Sequence, residues 1–129
     1  MLRPVAVTRI FTGADGRSHF EDLSFPLVKA EPPATHQAVL PFTGAIISVA
    51  PAGAPVGRHN APRRQLVINL TGVCEIDCAD GTKRFGPGDV RFADDTHGEG
   101  HVTRVVEDVE ALILPLPEDL DISSWSQAK

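Results

Sequence analysis

The sequence lacks long apolar runs, a basic stripe and all but two cysteines, and each lack excludes a class of protein. No apolar stretch approaches the roughly 20 residues that a membrane-spanning helix requires, so we expect no membrane partner. The formal net charge is −5, which argues against nucleic acid as a partner. Cys74 and Cys78 would share one face of a strand, too far apart for a disulfide. We expect reduced thiols and, with no signal-peptide pattern, a cytoplasmic protein.

Several motifs of common enzymes are also missing. The chain has no G-x-S-x-G, no phosphate-binding glycine loop and no dinucleotide fingerprint. It does have 11 Gly and 11 Pro in 129 residues, which is typical of many short strands joined by tight turns. With no convincing amphipathic helix, the pattern predicts one all-β domain, either a sandwich or a barrel.

The strand pattern is clearest in the middle of the chain. The segment 65–71, QLVINLT, is rich in β-branched residues, and Gly72 predicts a hairpin turn into a second arm at 73–77. Further strands are predicted at 2–11, 18–28, 36–50 (two short runs), 83–85, 90–93, 101–106 and 109–116. Alternation along these strands predicts pocket walls from Ile47, Val49, Val67, Asn69, Phe92 and Val105.

Three parts of the single domain, 1–129, can be distinguished. Residues 1–50 hold the N-terminal strands, 53–116 hold the core with most turn signals, and 117–129 form an acidic tail. For the tail we expect either a single helical turn that Trp125 docks on the rest of the domain, or a frayed end.

A spaced set of residues in 53–72 resembles the first motif of the cupin superfamily. That motif is a Gly, five residues, His-x-His, three or four residues, Glu, six residues and Gly. Here the corresponding positions are Gly53, His59, Ala61, Gln65 and Gly72, and every interval matches. Ala61 replaces the second His of the motif, and Gln65 replaces its Glu.

The segment 88–105 resembles the second cupin motif, a Gly, five residues, Pro-x-Gly, two residues, His, three residues and Asn. Gly88 begins it. With a loop two residues longer than usual, Gly98 and His101 take the Gly and His positions, while Thr96 and Val105 replace the Pro and Asn. The resemblance implies a cupin-type double-stranded β-helix, a jelly-roll-like barrel. Small cupins are commonly homodimers paired through N-terminal strands, so the resemblance also implies a dimer contact within 1–50.

The resemblance implies a degenerate metal site. In metal-bearing cupins, three His and one Glu hold Fe, Mn, Ni, Cu or Zn inside the barrel. Carried over to this chain, the ligands are His59, Gln65 and His101, a weak set because hard cations prefer anionic oxygen. His97 or Glu99, in the loop DDTHGEGH, could supply a further ligand. Asp94 or Asp95 of the same loop could supply that ligand instead.

Acid–base chemistry needs fewer groups than a metal does. His59 and His101 are the candidates for proton transfer, and Asp94-Asp95 followed by His97 could form a second such pair. Arg63 could hold an anionic substrate through its guanidinium fork. The alternatives are hydrogen-bonded histidines at a wet barrel mouth, and an Arg63–Arg64 pair in solvent or in salt bridges to the loop acids.

Three functions follow as hypotheses. The first is a cupin that binds a small polar or anionic molecule inside its barrel, with acid–base chemistry by His59 or His101. The second is a metal-dependent oxygenase or isomerase. The third is a non-enzymatic dimeric scaffold, which would have an interior filled by side chains.

Overall fold

The computed structural model describes residues 4–30 and 35–127. Those residues form no helix, and so none that could cross a membrane. Within these ranges there are thirteen strands: β1 (Ala6–Thr12), β2 (Ser18–Ser24), β3 (Val28–Ala30), β4 (Thr35–Gln37), β5 (Ile46–Ala50), β6 (Arg58–His59), β7 (Gln65–Thr71), β8 (Cys74–Cys78), β9 (Gly81–Phe85), β10 (Val90–Asp94), β11 (His101–Val105), β12 (Val109–Pro115) and β13 (Ser126–Gln127).

The strands form two main sheets and one small one. The larger sheet has the order β13-β2-β1-β10-β7-β12-β5, the smaller has β6-β11-β8-β9, and β3 pairs with β4. Neighbours are antiparallel except for β1 and β10. The expectation of an all-β protein is confirmed. None of the sheets in the described part of the chain closes into a barrel, and the cupin-type jelly roll therefore stays a prediction.

The turn at Gly72 moves the chain from one sheet to the other, so the predicted hairpin is wrong. Strand β7 pairs with β10 and β12, whereas β8 pairs with β9 and β11. Gly72 has a φ of 82°, and a Cβ there would lie 2.0 Å from the carbonyl oxygen of Asp108. Asp108 lies between β11 and β12, where the chain changes sheets again. The glycine thus allows two inter-sheet corners to pack together, which a sequence reading of the turn alone could not distinguish from a hairpin.

The larger sheet is packed on both faces. Its inner face and the smaller sheet share one apolar cluster of Ile10, Val67, Cys74, Ile76, Phe85, Val105, Val109 and Ala111. Its outer face carries a second cluster of Val7, Leu23, Leu66, Phe92, Leu114, Leu116 and Trp125. Because side chains alternate along a strand, neighbours such as Leu66 and Val67 belong to different clusters. Phe92 therefore lies on the face opposite to the one predicted.

Strand β5 forms an edge of the larger sheet and is poorly covered. Ile47 and Val49, both predicted as pocket walls, are 67% and 69% exposed. An exposed apolar edge is a surface on which a second chain could add. The predicted dimer contact within residues 1–50 is not tested by a single chain, and residues 1–3 and 31–34 lie outside the described residues.

The described part of the acidic tail forms two hydrogen-bonded turns, 117–120 and 122–125, and then the short strand β13, with no longer helix. Ser126 and Gln127 of β13 pair with β2. Trp125 is 7% exposed, and its ring centroid lies 5.1 Å from that of Phe25 and 5.4 Å from that of Phe92. The tail thus closes the outer apolar cluster by docking its tryptophan.

Replacing Trp125 with alanine tests how firmly the tail is held. We expect Trp125→Ala to lower the free energy of unfolding by about 3–5 kcal/mol, because a large buried ring leaves a cavity in the outer cluster. The control is Val39→Ala, at a residue that is 84% exposed, which should change stability by less than about 0.5 kcal/mol. Urea unfolding followed by circular dichroism measures both. Equal midpoints for the two variants would show that the tail is not part of the cooperative fold.

Candidate functional site

A cavity of about 190 Å³ lies between the two main sheets. This volume exceeds the roughly 150 Å³ of an apolar cavity that admits benzene. It is below the roughly 300 Å³ at which pockets for drug-sized ligands begin. Its polar lining comes from Ser48, His59, Gln65, Arg91, His101 and Thr103, and most of the other lining residues are apolar, among them Val67, Val105 and Ile113. The cavity therefore suits a small molecule with both polar and apolar parts.

A buried carboxylate holds His101 in the cavity wall. Asp95 is 0% exposed, and its Oδ2 lies 2.6 Å from the Nδ1 of His101 and 2.6 Å from the hydroxyl of Ser18. Because the carboxylate accepts a hydrogen bond at Nδ1, we assign the proton of the neutral ring to that nitrogen. The Nε2 atom makes no hydrogen bond to any described residue and keeps its lone pair. This is the arrangement of a histidine oriented as a proton acceptor.

His59 lies beside His101, as their motif positions predict. The two residues are paired in register between β6 and β11, and their ring centroids are 4.5 Å apart at an angle of 62°. The Nδ1 of His59 lies 2.8 Å from the carbonyl oxygen of Gly57, which it can reach only as a donor. His59 therefore also keeps its proton on Nδ1. The site thus contains two adjacent imidazoles, each held through Nδ1.

Gly100 allows this close approach. Its φ is 81°, and a Cβ at this position would lie 2.4 Å from the carbonyl oxygen of His59. Any larger residue would push β6 away from the start of β11 and separate the two rings. The glycine before His101 is therefore required by the geometry of the site.

The side chains of the acidic loop take only some of the positions that their predicted roles as metal ligands or a proton-transfer pair would need. His97 and Glu99 are exposed and do not line the cavity. Their backbone groups fix the loop instead: the carbonyl of His97 accepts from Thr12, and the amide of Glu99 donates to Gly16. The carboxylate that supports a histidine is Asp95, and its partner is His101, not the His97 of the predicted pair.

Arg63 lies outside the cavity. It is exposed, and its Nη1 donates to the side-chain oxygen of Gln65 at 2.6 Å. Gln65 is buried and lines the cavity, so Arg63 reaches the site only through that amide. Arg64 makes the salt bridge that was an alternative for the pair, with its Nε 2.7 Å from Asp94.

The described donors fit a transition metal poorly. No group of three His, Cys, Asp or Glu side chains in residues 4–30 and 35–127 is arranged to hold a metal ion. The oxygen of Gln65 already accepts a hydrogen bond from a cation. Asp95 meets His101 at Nδ1 and has its second oxygen enclosed without a partner, so neither oxygen is free to ligate an ion in the cavity. Two imidazoles without an anionic ligand bind divalent ions weakly. The assignment of His59, Gln65 and His101 as ligands stays a prediction.

Sequence reasoning missed Arg91, which lines the cavity from β10. Its Nη1 donates to the side-chain oxygen of Asn69 at 2.9 Å, and its guanidinium carbon lies 5.4 Å from the ring centroid of Phe85. Burial lowers the pKa of the guanidinium from its ordinary value. The signal in the sequence is the alternation of VRFAD, which places Arg91 and Phe92 on opposite faces of the strand. Because apolar residues cover both faces of this sheet, the apolar side chain of Phe92 does not show which face borders the cavity.

The cysteines are unsuited to nucleophilic chemistry. Cys74 is buried in the inner cluster, and both cysteines are free thiols. Burial raises the pKa of the Cys78 thiol to about 12, so it stays protonated near neutral pH.

Comparison with known proteins adds no assignment. No family model matches the chain, and no curated protein matches it significantly.

Two glycine substitutions test the packing at the site. Gly88 has a φ of 84° and nothing within 4 Å of an added Cβ. Gly88→Ala should therefore lower the free energy of unfolding by only roughly 1–2 kcal/mol, the cost of holding an alanine in the left-handed conformation. We expect Gly100→Ala to lower the free energy of unfolding by about 1–3 kcal/mol more than Gly88→Ala does, because its Cβ would overlap the backbone of His59. It should also shift the ring resonances of His59 and His101 in NMR spectra. Equal unfolding free energies with unmoved ring resonances would contradict this account.

Proposed function

We propose that this chain is a small cupin-type protein that binds a small polar molecule in its cavity and moves a proton with His101. The observation that carries the proposal is the buried Asp95–His101 pair in the cavity wall. A fully buried carboxylate is costly unless it is paired. The hydrogen bond from His101 offsets part of that cost, and the same bond fixes the imidazole in the cavity wall.

The chemistry that this arrangement supports is general acid–base catalysis. The Nε2 of His101 takes a proton from a bound X–H group, X keeps the electron pair, and the resulting imidazolium is stabilised by the carboxylate of Asp95. Ser18 donates to the same carboxylate oxygen and fixes its direction. His59, with its ring 4.5 Å from that of His101, is the second group able to exchange a proton with the ligand.

A metal-dependent oxygenase or isomerase is the second candidate. The proximity of the His59 and His101 rings favours it, because two adjacent imidazoles are a usual part of such centres. The missing anionic ligand counts against it. A dimeric scaffold predicts an interior filled by side chains, and the cavity counts against that function alone. Pairing of two chains through exposed edge strands such as β5 is compatible with either kind of ligand site.

Asp95→Asn tests the proton-transfer proposal. An asparagine amide can donate to Nδ1, so we expect the proton of neutral His101 to move from Nδ1 to Nε2, which removes the free base. Two-bond ¹⁵N–¹H correlation spectra of the ring measure the tautomer. Loss of charge-assisted hydrogen bonds should also lower the free energy of unfolding by about 1–3 kcal/mol. His59 provides the internal control, because its Nδ1 bonds a carbonyl that the substitution leaves in place. An unchanged His101 tautomer would refute the role given to Asp95.

Metal analysis separates the two candidate enzymes. We expect untagged protein, prepared without chelators and incubated with Fe, Mn, Ni, Cu and Zn salts, to retain well under one metal ion per chain after desalting, because the site has no anionic ligand. Inductively coupled plasma mass spectrometry measures this. Stoichiometric metal that is lost in His59→Ala would instead establish the metal-dependent candidate.

A further inference from the structure

Arg91 is a cation in the cavity wall without an acidic partner. No carboxylate oxygen of the described residues lies within 4.0 Å of its guanidinium nitrogens. Four other arginines are paired: Arg9 with Glu21 and Asp94, Arg64 with Asp94, Arg84 with Glu75, and Arg104 with Asp77 and Glu75. The remaining described arginines, Arg17, Arg58 and Arg63, also have no acidic partner, but they are exposed to solvent. Arg91 differs from both groups because it is partly buried and lines the cavity with only neutral neighbours.

Those neutral neighbours satisfy little of its hydrogen-bonding capacity. A guanidinium has five N–H donors in a planar fork, and the contact to Asn69 uses one nitrogen. The face of Phe85 gives a further weak attraction, on the order of 1 kcal/mol. Removing a cation from water costs several kcal/mol when it is not matched by an anion. The remaining donors therefore form a site that an anion in the cavity would complete.

The charge of the lining matches a single negative charge. Among the described residues that line the cavity there is no Asp, Glu or Lys, and Arg91 is the one permanently charged side chain. A carboxylate carries one charge and two oxygens that fit the guanidinium fork in two-point fashion. A phosphate dianion would leave a buried negative charge. Chemistry and charge both favour a carboxylate.

The position of Arg91 along β10 determines how a ligand bound to it would be oriented in the cavity. Asp95 follows the end of β10, four residues after Arg91, which is about 13 Å along an extended backbone. Asp95 marks the histidine end of the cavity. The apolar residues Val67 and Ile113 line the same cavity. A ligand held at Arg91 would therefore have a carboxylate at one end and an apolar middle, and would present its other end toward His101.

We propose that the cavity takes a small monocarboxylic acid whose carboxylate binds the guanidinium of Arg91. This inference rests on the proposed function, since it names the class of molecule that would bring a group to His101. By comparison with benzene in a cavity of roughly 150 Å³, such an acid has about six to nine non-hydrogen atoms.

Titration of the full chain with a matched pair of probes tests the anchor. Pentanoate and its neutral isostere pentanamide have the same shape and differ in charge. We expect pentanoate to bind the wild-type chain at least about tenfold more tightly, measured by NMR titration of backbone amides in β7 and β10. Arg91→Met should abolish that preference, and Arg91→Lys should keep part of it. Arg84→Met, at an exposed arginine outside the cavity, is the control and should behave as wild type.

Arg91→Met should still fold, because it leaves no unpaired carboxylate behind, but it removes the donor to the buried side-chain oxygen of Asn69 and should lower the free energy of unfolding by about 1–3 kcal/mol. A single cooperative urea transition for this variant shows that a loss of binding is a loss of the anchor and not of the fold.

The outcomes separate the anchor from the proposed function. Equal binding of pentanoate and pentanamide, or a pentanoate preference that survives Arg91→Met, would overturn the anchor while leaving ligand binding in the cavity. Failure of both probes to move any cavity resonance would overturn the monocarboxylate proposal, while the role of His101 would still be decided by its tautomer in Asp95→Asn. A pentanoate preference that Arg91→Met removes supports the anchor even where Asp95→Asn leaves the tautomer of His101 unchanged.

Discussion

The Oδ2 atom of Asp95 accepts hydrogen bonds from Ser18 and His101, and through them it joins the larger sheet to the smaller one. Ser18 begins β2, Asp95 follows β10, and His101 begins β11. Each bond to a charged acceptor contributes about 1.5–3 kcal/mol, and losing either partner would leave a buried charge less satisfied. The two sheets are therefore held together at this end of the cavity, and the same bonds fix the orientation of the His101 ring.

The loop from Asp95 to His101 serves this contact. Its glycines let the backbone pass close to neighbouring chain segments: a Cβ at Gly98 would lie 2.5 Å from the carbonyl oxygen of Gly16. Glu99 and His97 of the same loop indicate a ligand-rich cavity mouth when they are considered as side chains, yet it is their backbone groups that fix the loop. A loop can thus be rich in metal-binding residue types because it is polar and tightly turned, without forming a metal centre.

Much of the secondary structure could be predicted from the sequence, and so could half of the site. The strand 65–71 agrees with β7 because β-branched residues and turn signals are local properties. His59 and His101 come together as the motif intervals imply. The roles of Asp95 and Arg91 could not be predicted, because each depends on contacts between sheets. Alternation gives two faces to every strand, and where both faces are packed it does not say which one borders the cavity.

The larger sheet packs on both faces, and its inner face also borders the cavity. The outer cluster, closed by Trp125, consists of apolar side chains, whereas the inner face combines apolar residues with Arg91 and faces the histidines of the smaller sheet across the cavity. Gln65, Arg91 and Ala93 of β7 and β10 line the cavity, whereas Leu66 and Phe92, which lie between them along the strands, belong to the outer cluster. Because the two sets alternate along the same strands, the cavity lining can change in sequence while the outer cluster stays the same.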